Sequence, residues 1–354
     1  MDRIDGLLRK TVALNGSDLH VKAGSRPIFR IDGELVQDDA EPPFSVQGAQ
    51  DEIFAIVSEA QRKKFEKDLE LDFAYEIPGS ARFRGNIYQQ RGIVQAAFRV
   101  IPLEVQTLDD LRIPPIVKKF CARPRGLVLV TGPAGSGKST TQAACIDHIN
   151  HSEPCHIVTV EDPIEFIHED DRAIINQREL SVDTLSFANA LKYVLRQDPD
   201  VILVGEMRDL ETIQLAITAS ETGHLVFGTL HTVDAVQTID RVIDVFPLHQ
   251  QQQVRMQLSV NLVGVISQTL VKRADGRGRT AAFETLNAVG AIRNLVRENK
   301  TYQISSIVQT GMKLGMQTLD QSLANLVREQ IVTAEEAAFR AKDRGEFERL
   351  LQVG

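Results

Sequence analysis

Ten residues constrain this chain more than any other stretch: Gly132-Pro133-Ala134-Gly135-Ser136-Gly137-Lys138-Ser139, followed by Thr140 and Thr141. The first eight fit G-x-x-x-x-G-K-[ST], the pattern of a phosphate-binding loop. That pattern has meaning only between a strand and a helix. Leu127-Val128-Leu129-Val130-Thr131 is an apolar, β-branched run that reads as a buried strand, and the residues after Lys138 read as a helix. Glycines let successive backbone N–H groups turn inward around a phosphate at the positive end of that helix. Lys138 then reaches the β- and γ-phosphates, and the Ser139 hydroxyl is placed for the Mg²⁺ that bridges them. The stretch reads as an ATP site.

The chain has 354 residues, 43% of them hydrophobic and 25% charged, enough for two domains with real cores. A net charge of -8 and the lack of any Lys/Arg cluster argue against a nucleic-acid surface. With no Trp and four Tyr, stacking platforms for single strands are scarce as well. Cys121, Cys145 and Cys155 have no metal-ligand spacing and read as reduced structural thiols. Met1-Asp2-Arg3-Ile4-Asp5 does not begin a signal peptide, and no run of about 18 apolar residues occurs, so the expected location is cytoplasmic.

In chain order, Ile4, Leu7, Leu8, Val12 and Leu14 make an amphipathic helix ending near Asn15-Gly16. Ser17 to Val21 changes period, and Pro27 to Val36 alternates around Asp32-Gly33, a hairpin signal. Residues 46–69 suit one or two surface helices. Leu71 to Ile77, Ala81 to Tyr88 and Ile93 to Ile101 read as antiparallel strands. Residues 1–101 are therefore expected to form a small α+β domain, and the proline-bearing stretch 102–115 a linker. Within that domain Arg82 and Arg84 share one strand face and Arg99 lies on the next strand, which makes either a basic face or solvated charges paired with Glu76 or Asp72.

The second domain, 116–290, repeats one theme. His156 to Val160 ends in Glu161-Asp162-Pro163, Val201 to Val204 in Gly205-Glu206, and His224 to Leu230 in His231-Thr232, with helical stretches expected between them. Such alternation predicts a mostly parallel sheet covered by helices on both faces, with the ligand beyond the carboxyl ends of the strands. There Glu161 and Glu206 are candidates for orienting and deprotonating water and for holding Mg²⁺, and either His224 or His231 could donate to a phosphate oxygen. Taken singly, each could instead be a helix cap or a structural histidine.

At these residues the chain resembles the secretion and pilus motor ATPases, and most closely the type IV pilus retraction ATPases, over almost its whole length. Thr159-Val160-Glu161-Asp162-Pro163-Ile164-Glu165-Phe166 is similar to the family's Asp box, Asp198 to Asp209 to its Walker B segment, and Gly223 to Thr232 to its His box. The resemblance implies a RecA-like P-loop domain preceded by a PAS-like α+β domain. It makes Glu161 the general base and Glu206 the Mg²⁺-linked acid. Arg82-Phe83-Arg84-Gly85-Asn86 and Phe98-Arg99-Val100-Ile101-Pro102 resemble the arginine segments that serve a nucleotide in a hexamer, which implicates Arg84 and Arg99. The tetracysteine metal insertion usual in assembly and secretion relatives is missing, because no cysteine follows Cys155. Ala291-Ile292-Arg293-Asn294-Leu295-Val296-Arg297-Glu298 differs from a retraction-family segment only at Val296, and it opens a helical part, 291–354.

The resemblance implies a homo-hexameric motor that hydrolyses ATP, docks on an inner-membrane platform protein and depolymerises pilin. An accessory retraction ATPase, or an assembly or type II secretion ATPase, shares the chemistry and differs in partner. From other classes, a RecA-like nucleic-acid motor is disfavoured by the acidic balance, and a nucleotide-gated scaffold by the two well-placed acids.

Overall fold

The computed structural model describes residues 3–31, 33–79, 81–101 and 105–352. Two compact units divide the chain, Met1–Glu104 and Val105–Gly354. In the first, helix α1 (Arg3–Ala13) leads to β1 (Asp18–Val21), β2 (Ile28–Ile31) and β3 (Glu34–Gln37). Helices α2 (Val46–Ala55) and α3 (Glu59–Asp68) follow, then β4 (Glu70–Ile77), β5 (Ala81–Gln90) and β6 (Ile93–Ile101). The six strands form one antiparallel sheet in the order β3-β2-β1-β6-β5-β4. Ile31 faces Glu34 across a two-residue turn in which Gly33 takes φ 90°, the region a primed hairpin turn requires; Asp32 lies outside the described residues. Alternation along β5 buries Phe83 and Ile87 against Ile4, Leu8 and Ile53, and turns Arg84 outward.

One row crosses this sheet. Arg84 faces Arg99, Arg99 faces Asp18, and Asp18 faces Arg30. Asp18 binds Arg99 at 3.0 Å and Arg30 at 3.7 Å, so part of the basic face is neutralised from within the row. Asp72 accepts from Asn86, while Glu76 lies opposite Arg82 and Arg84 lies opposite Ala74.

The second unit starts with α4 (Ile116–Cys121), β7 (Gly126–Thr131), α5 (Lys138–Ser152), β8 (His156–Glu161) and β9 (Ile174–Glu179). It continues with α6 (Phe187–Val194), β10 (Val201–Val204), α7 (Leu210–Glu221), β11 (Leu225–Leu230), α8 (Ala235–Asp244) and α9 (Leu248–Asn261). After β12 (Leu262–Lys272) and β13 (Arg279–Asn287) come α10 (Gly290–Arg297), α11 (Ile304–Thr310), α12 (Leu319–Arg328), α13 (Ala334–Arg340) and α14 (Arg344–Gln352). The sheet order is β13-β12-β7-β11-β10-β8-β9, parallel except for the β12–β13 pair. Strands β7, β10 and β11 are buried along their whole length, which is why they read as continuous apolar runs.

The stretch between β8 and β10 departs from the expectation of helix alone, because it also contains β9. Ile174-Ile175-Asn176-Gln177-Arg178-Glu179 has little apolar character because it is an edge strand, paired among the described residues with β8 alone. Ile292 and Val296 of α10 are fully buried in the same core as β10 and β11, as the one-sided apolar pattern of that helix requires.

Candidate active site

The order β7-β11-β10-β8 brings the carboxyl ends of four adjacent parallel strands side by side, and three of the next segments carry the candidate residues. After β7, the loop from Gly132 to Gly137 turns through positive φ at Gly132, Gly135 and Gly137. A Cβ on Gly132 would lie 2.3 Å from the Gln268 carbonyl oxygen and 2.6 Å from Ser136 Oγ, so only glycine fits there. Pro133, Ala134 and Gly135 form the exposed crest, Ser136 is buried, and Lys138, Ser139 and Thr140 are half-buried on the first turn of α5. Lys138 Nζ donates to the carbonyls of Gly132 and Pro133 at 2.9 and 3.0 Å. From β12, Gln268 accepts from Thr141 Oγ1 and donates to the Ser136 carbonyl, both at 2.7 Å, clasping the loop to the helix it opens.

This cradle suits a phosphate. The amino end of α5 has no side-chain cap, and the buried Ser136 Oγ finds no partner among the described residues, so N–H and O–H donors are left for an anion. Ser139 and Glu206 contribute a hydroxyl and a carboxylate, the hard oxygen donors that Mg²⁺ takes.

Beyond β10 and β11 the polar groups form a chain. Lys138 Nζ stands 3.4 Å from His231 Nδ1, His231 Nε2 is 3.0 Å from Glu206 Oε1, and Arg208 Nε is 2.5 Å from the same oxygen. An ammonium can only donate and a carboxylate can only accept, so His231 is the tautomer with its proton on Nε2. Burial pushes the Glu206 carboxyl up, but the hydrogen bonds from Arg208 and His231, with the charge of Arg208, outweigh it and hold the group below its ordinary value. Burial lowers Lys138, with Glu206 and Glu165 pulling the other way. The Gly205 corner is fixed from β11, where Thr229 Oγ1 donates to the Gly205 carbonyl and the Thr229 carbonyl accepts from Met207 N–H.

Glu161 closes β8. Its Oε1 accepts from Thr159 Oγ1 at 2.6 Å and from Gln177 Nε2 at 3.2 Å. Burial raises its pKa; these donors and the Glu165 backbone N–H oppose the shift, and the Glu165 charge adds to it. The result is a carboxylate with proton affinity above the ordinary range, the direction a general base requires.

Of the two candidate histidines, the structure brings one to this end. His224 precedes β11 at the opposite, amino end of the strand, where its Nδ1 sits 2.9 Å from the Ala219 carbonyl and 3.3 Å from Thr222 Oγ1. It closes the carboxyl end of α7, a correction to its expected place beside the phosphate. Arg84 and Arg99 belong to the first unit, on the exposed row described above. Three residues at the site were not expected. Arg208 stands two residues after Glu206, while Gln177 and Gln268 become visible only once β9 and β12 are placed.

A family model described as type II/IV secretion system protein matches residues 98–350. The type IV pilus retraction ATPase PilT of Pseudomonas aeruginosa is 51% identical over 96% of this chain and 98% of its own length. A twitching motility protein of Neisseria gonorrhoeae is 52% identical over 90% of this chain and 84% of its own. A crystal structure of the pilus retraction motor PilT with bound ADP superimposes with a TM-score of 0.92 at 46% identity, covering 99% of both chains. Family match, full-length identity and fold agree, and the chain belongs to the type II/IV secretion system protein family and, within it, to the pilus retraction ATPases.

Proposed function

We propose that this chain assembles as a homo-hexamer that hydrolyses ATP on the inner face of the cytoplasmic membrane and converts the energy into removal of pilin from a type IV pilus. The observation that carries this reading is the gathering of the phosphate loop, Glu161, Glu206 and His231 at the ends of adjacent strands. Glu161 takes the proton of the attacking water. Lys138 and the loop N–H groups hold the phosphates, and His231, bonded to both Lys138 and Glu206, registers whether a γ-phosphate is present. Ser139 and Glu206 would hold Mg²⁺, which would supply charge neutralisation during phosphoryl transfer. Arg84 and Arg99 serve to stabilise charge on the transferring phosphoryl group in the assembled hexamer. A nucleotide that binds two states of the assembled ring with different affinity is what couples turnover to mechanical work. The working partner is an inner-membrane platform protein; among the described residues no helix is long and apolar enough to cross a membrane.

Side-by-side measurement of nucleotide affinity and phosphate release tests the chemistry. Glu161→Gln should bind ATP and fail to hydrolyse it, whereas Lys138→Ala should lose binding itself; native turnover by Glu161→Gln refutes the base assignment. Mixing Arg84→Ala or Arg99→Ala chains with Glu161→Gln chains tests action across subunits. Recovered hydrolysis supports it, and a mixture as inactive as its parts places the arginine within its own chain. A deletion strain tests direction: hyperpiliated cells mean retraction, bald cells mean assembly, and unchanged pili overturn both.

A further inference from the structure

The geometry points to Gln177 as a positioning residue for ATP hydrolysis. Its carboxamide fixes the Glu161 carboxylate and binds the loop of residues 162–168 to it. This rests on Glu161 being the general base.

Gln177 lies on the edge strand β9, directly beside Thr159 of β8, with Glu179 in register with Glu161. Its amide has two N–H donors and one strong acceptor, and all are engaged. Nε2 donates to Glu161 Oε1 at 3.2 Å and to the Phe166 carbonyl at 2.8 Å, while Oε1 accepts from the His168 backbone N–H at 2.9 Å. One side chain thus closes both ends of a circuit that starts at Glu161, runs out through the loop and returns to the same carboxylate. The Glu165 N–H of the loop also favours the charged form of that group, so the loop's position and the base's are one problem.

Few residues could do this. Asparagine is a methylene too short to hold both sides, leucine offers no donor, and glutamate places a second carboxylate beside the first. Thr159, with its side chain buried, adds the other side-chain donor to Glu161 Oε1, so the two neighbouring strands together fix the plane of the carboxylate.

Other ionisable groups around Glu161 are accounted for. Glu165 raises its proton affinity from the loop. Glu179 faces it from β9 and accepts from Ile164 N–H at 3.2 Å. On the β10 side Glu206 is engaged by Arg208 and His231, and Arg208 also attracts Asp162. His168 is pushed down by burial to about 4, so it stays neutral across a neutral assay window. Because a change at Gln177 leaves the bonds of His231 and Glu206 in place, a difference in the acidic limb between native and variant reports on Glu161.

The test is steady-state ATP hydrolysis by the full chain between pH 5 and 9, with melting temperatures. Gln177→Leu should lower kcat at least tenfold with KM for ATP within about twofold, because misplacing a catalytic group affects the chemical step. It should also move the acidic limb of kcat up by about one pH unit, since a donor to the charged form has been removed. Thr159→Val should move the limb the same way, and Gln177→Glu further, through like charge. Gln177→Met replaces the leucine should that variant melt below the assay temperature. A limb that stays in place while kcat falls makes Gln177 merely structural and overturns the proposal, as does native kcat. Glu161→Gln separates the two claims. If it hydrolyses ATP, the base assignment fails; if it is inactive while the Gln177 limb is unmoved, only the positioning claim fails.

Discussion

Replacing Lys342 by Met should destabilise the second unit through three buried acids that the phosphate loop never touches. Asp234 caps α8, accepting from Gln237 N–H at 2.8 Å, and its Oδ2 also receives Lys342 Nζ at 2.7 Å. Glu284 accepts from Ala235 N–H at 2.8 Å, and Asp320 takes the backbone N–H groups of Lys342 and Asp343 at 2.7 and 3.0 Å. These three carboxylates are at most 7% exposed, and Lys342 is the cation whose charge reaches all of them. Breaking a fully buried pair costs about 3–5 kcal/mol. The Lys342 side chain is 50% exposed against 4% for Asp234, so water screens one end and roughly halves the loss to about 1.5–2.5 kcal/mol. Asparagine at 234 keeps the cap and removes the charge, so a double-mutant cycle isolates the pair. Urea unfolding followed by circular dichroism is the assay, with the transition of the second unit identified by its shift with ADP. The expected coupling is about 1–2 kcal/mol. If Lys342→Met costs as much in the Asp234→Asn background as in the native one, no ionic link joins the α13–α14 turn to α8, and the reasoning is wrong.

Gly132→Ala should abolish measurable ATP affinity and lower the melting temperature, because the new Cβ meets the Gln268 carbonyl oxygen at 2.3 Å; tight nucleotide binding by this variant refutes the close-approach argument. Glu284 has its pKa raised by burial, opposed by Ala235 N–H and Lys342. A raised folded-state pKa gives stability at low pH that is lost as pH rises through that value, so Glu284→Gln should melt higher than native at pH 8 and lose the advantage toward pH 4, each 1 kcal/mol appearing as about 2–4 °C. Ala291 to Glu298 is expected to transmit motion; since Val296 is fully buried, the double replacement of Leu295 and Val296 would mix packing with coupling. Leu295→Ala alone should keep hydrolysis and melting temperature while abolishing twitching, and a joint fall in all three makes the segment structural.

The chemistry legible in the sequence sits where a buried parallel strand ends. Glu161, Glu206 and His231 each follow an apolar run, and a parallel sheet puts all such ends on one edge. His224 opens its run instead of closing it, so the same rule sends it to the other edge. The glutamines were illegible for a different reason. Gln177 sits in a polar edge strand whose pattern says little, and Gln268 meets Thr141 across 127 positions of sequence, a pairing no local period encodes. Arg208 reads as an ordinary loop charge until Glu206 is found beside it.

The Gln268 clasp also governs when in the life of the chain an ATP site can first exist. Strand β7 hydrogen-bonds to β11 and β12, both made long after it, and the loop that follows is fastened to the sheet by the Gln268 amide of β12. A ribosome that has released residues 1–101 has already freed every segment of the six-stranded sheet, whose partners are all internal to that stretch. The motor core has no such early stage. Until residue 268 emerges, the Ser136 carbonyl and the Thr141 hydroxyl lack the partner that shapes them, and β7 stands without its neighbour on that side. Synthesis therefore delivers a finished small unit followed by a late, all-at-once assembly of the nucleotide pocket, and an incomplete chain has no means to turn over ATP.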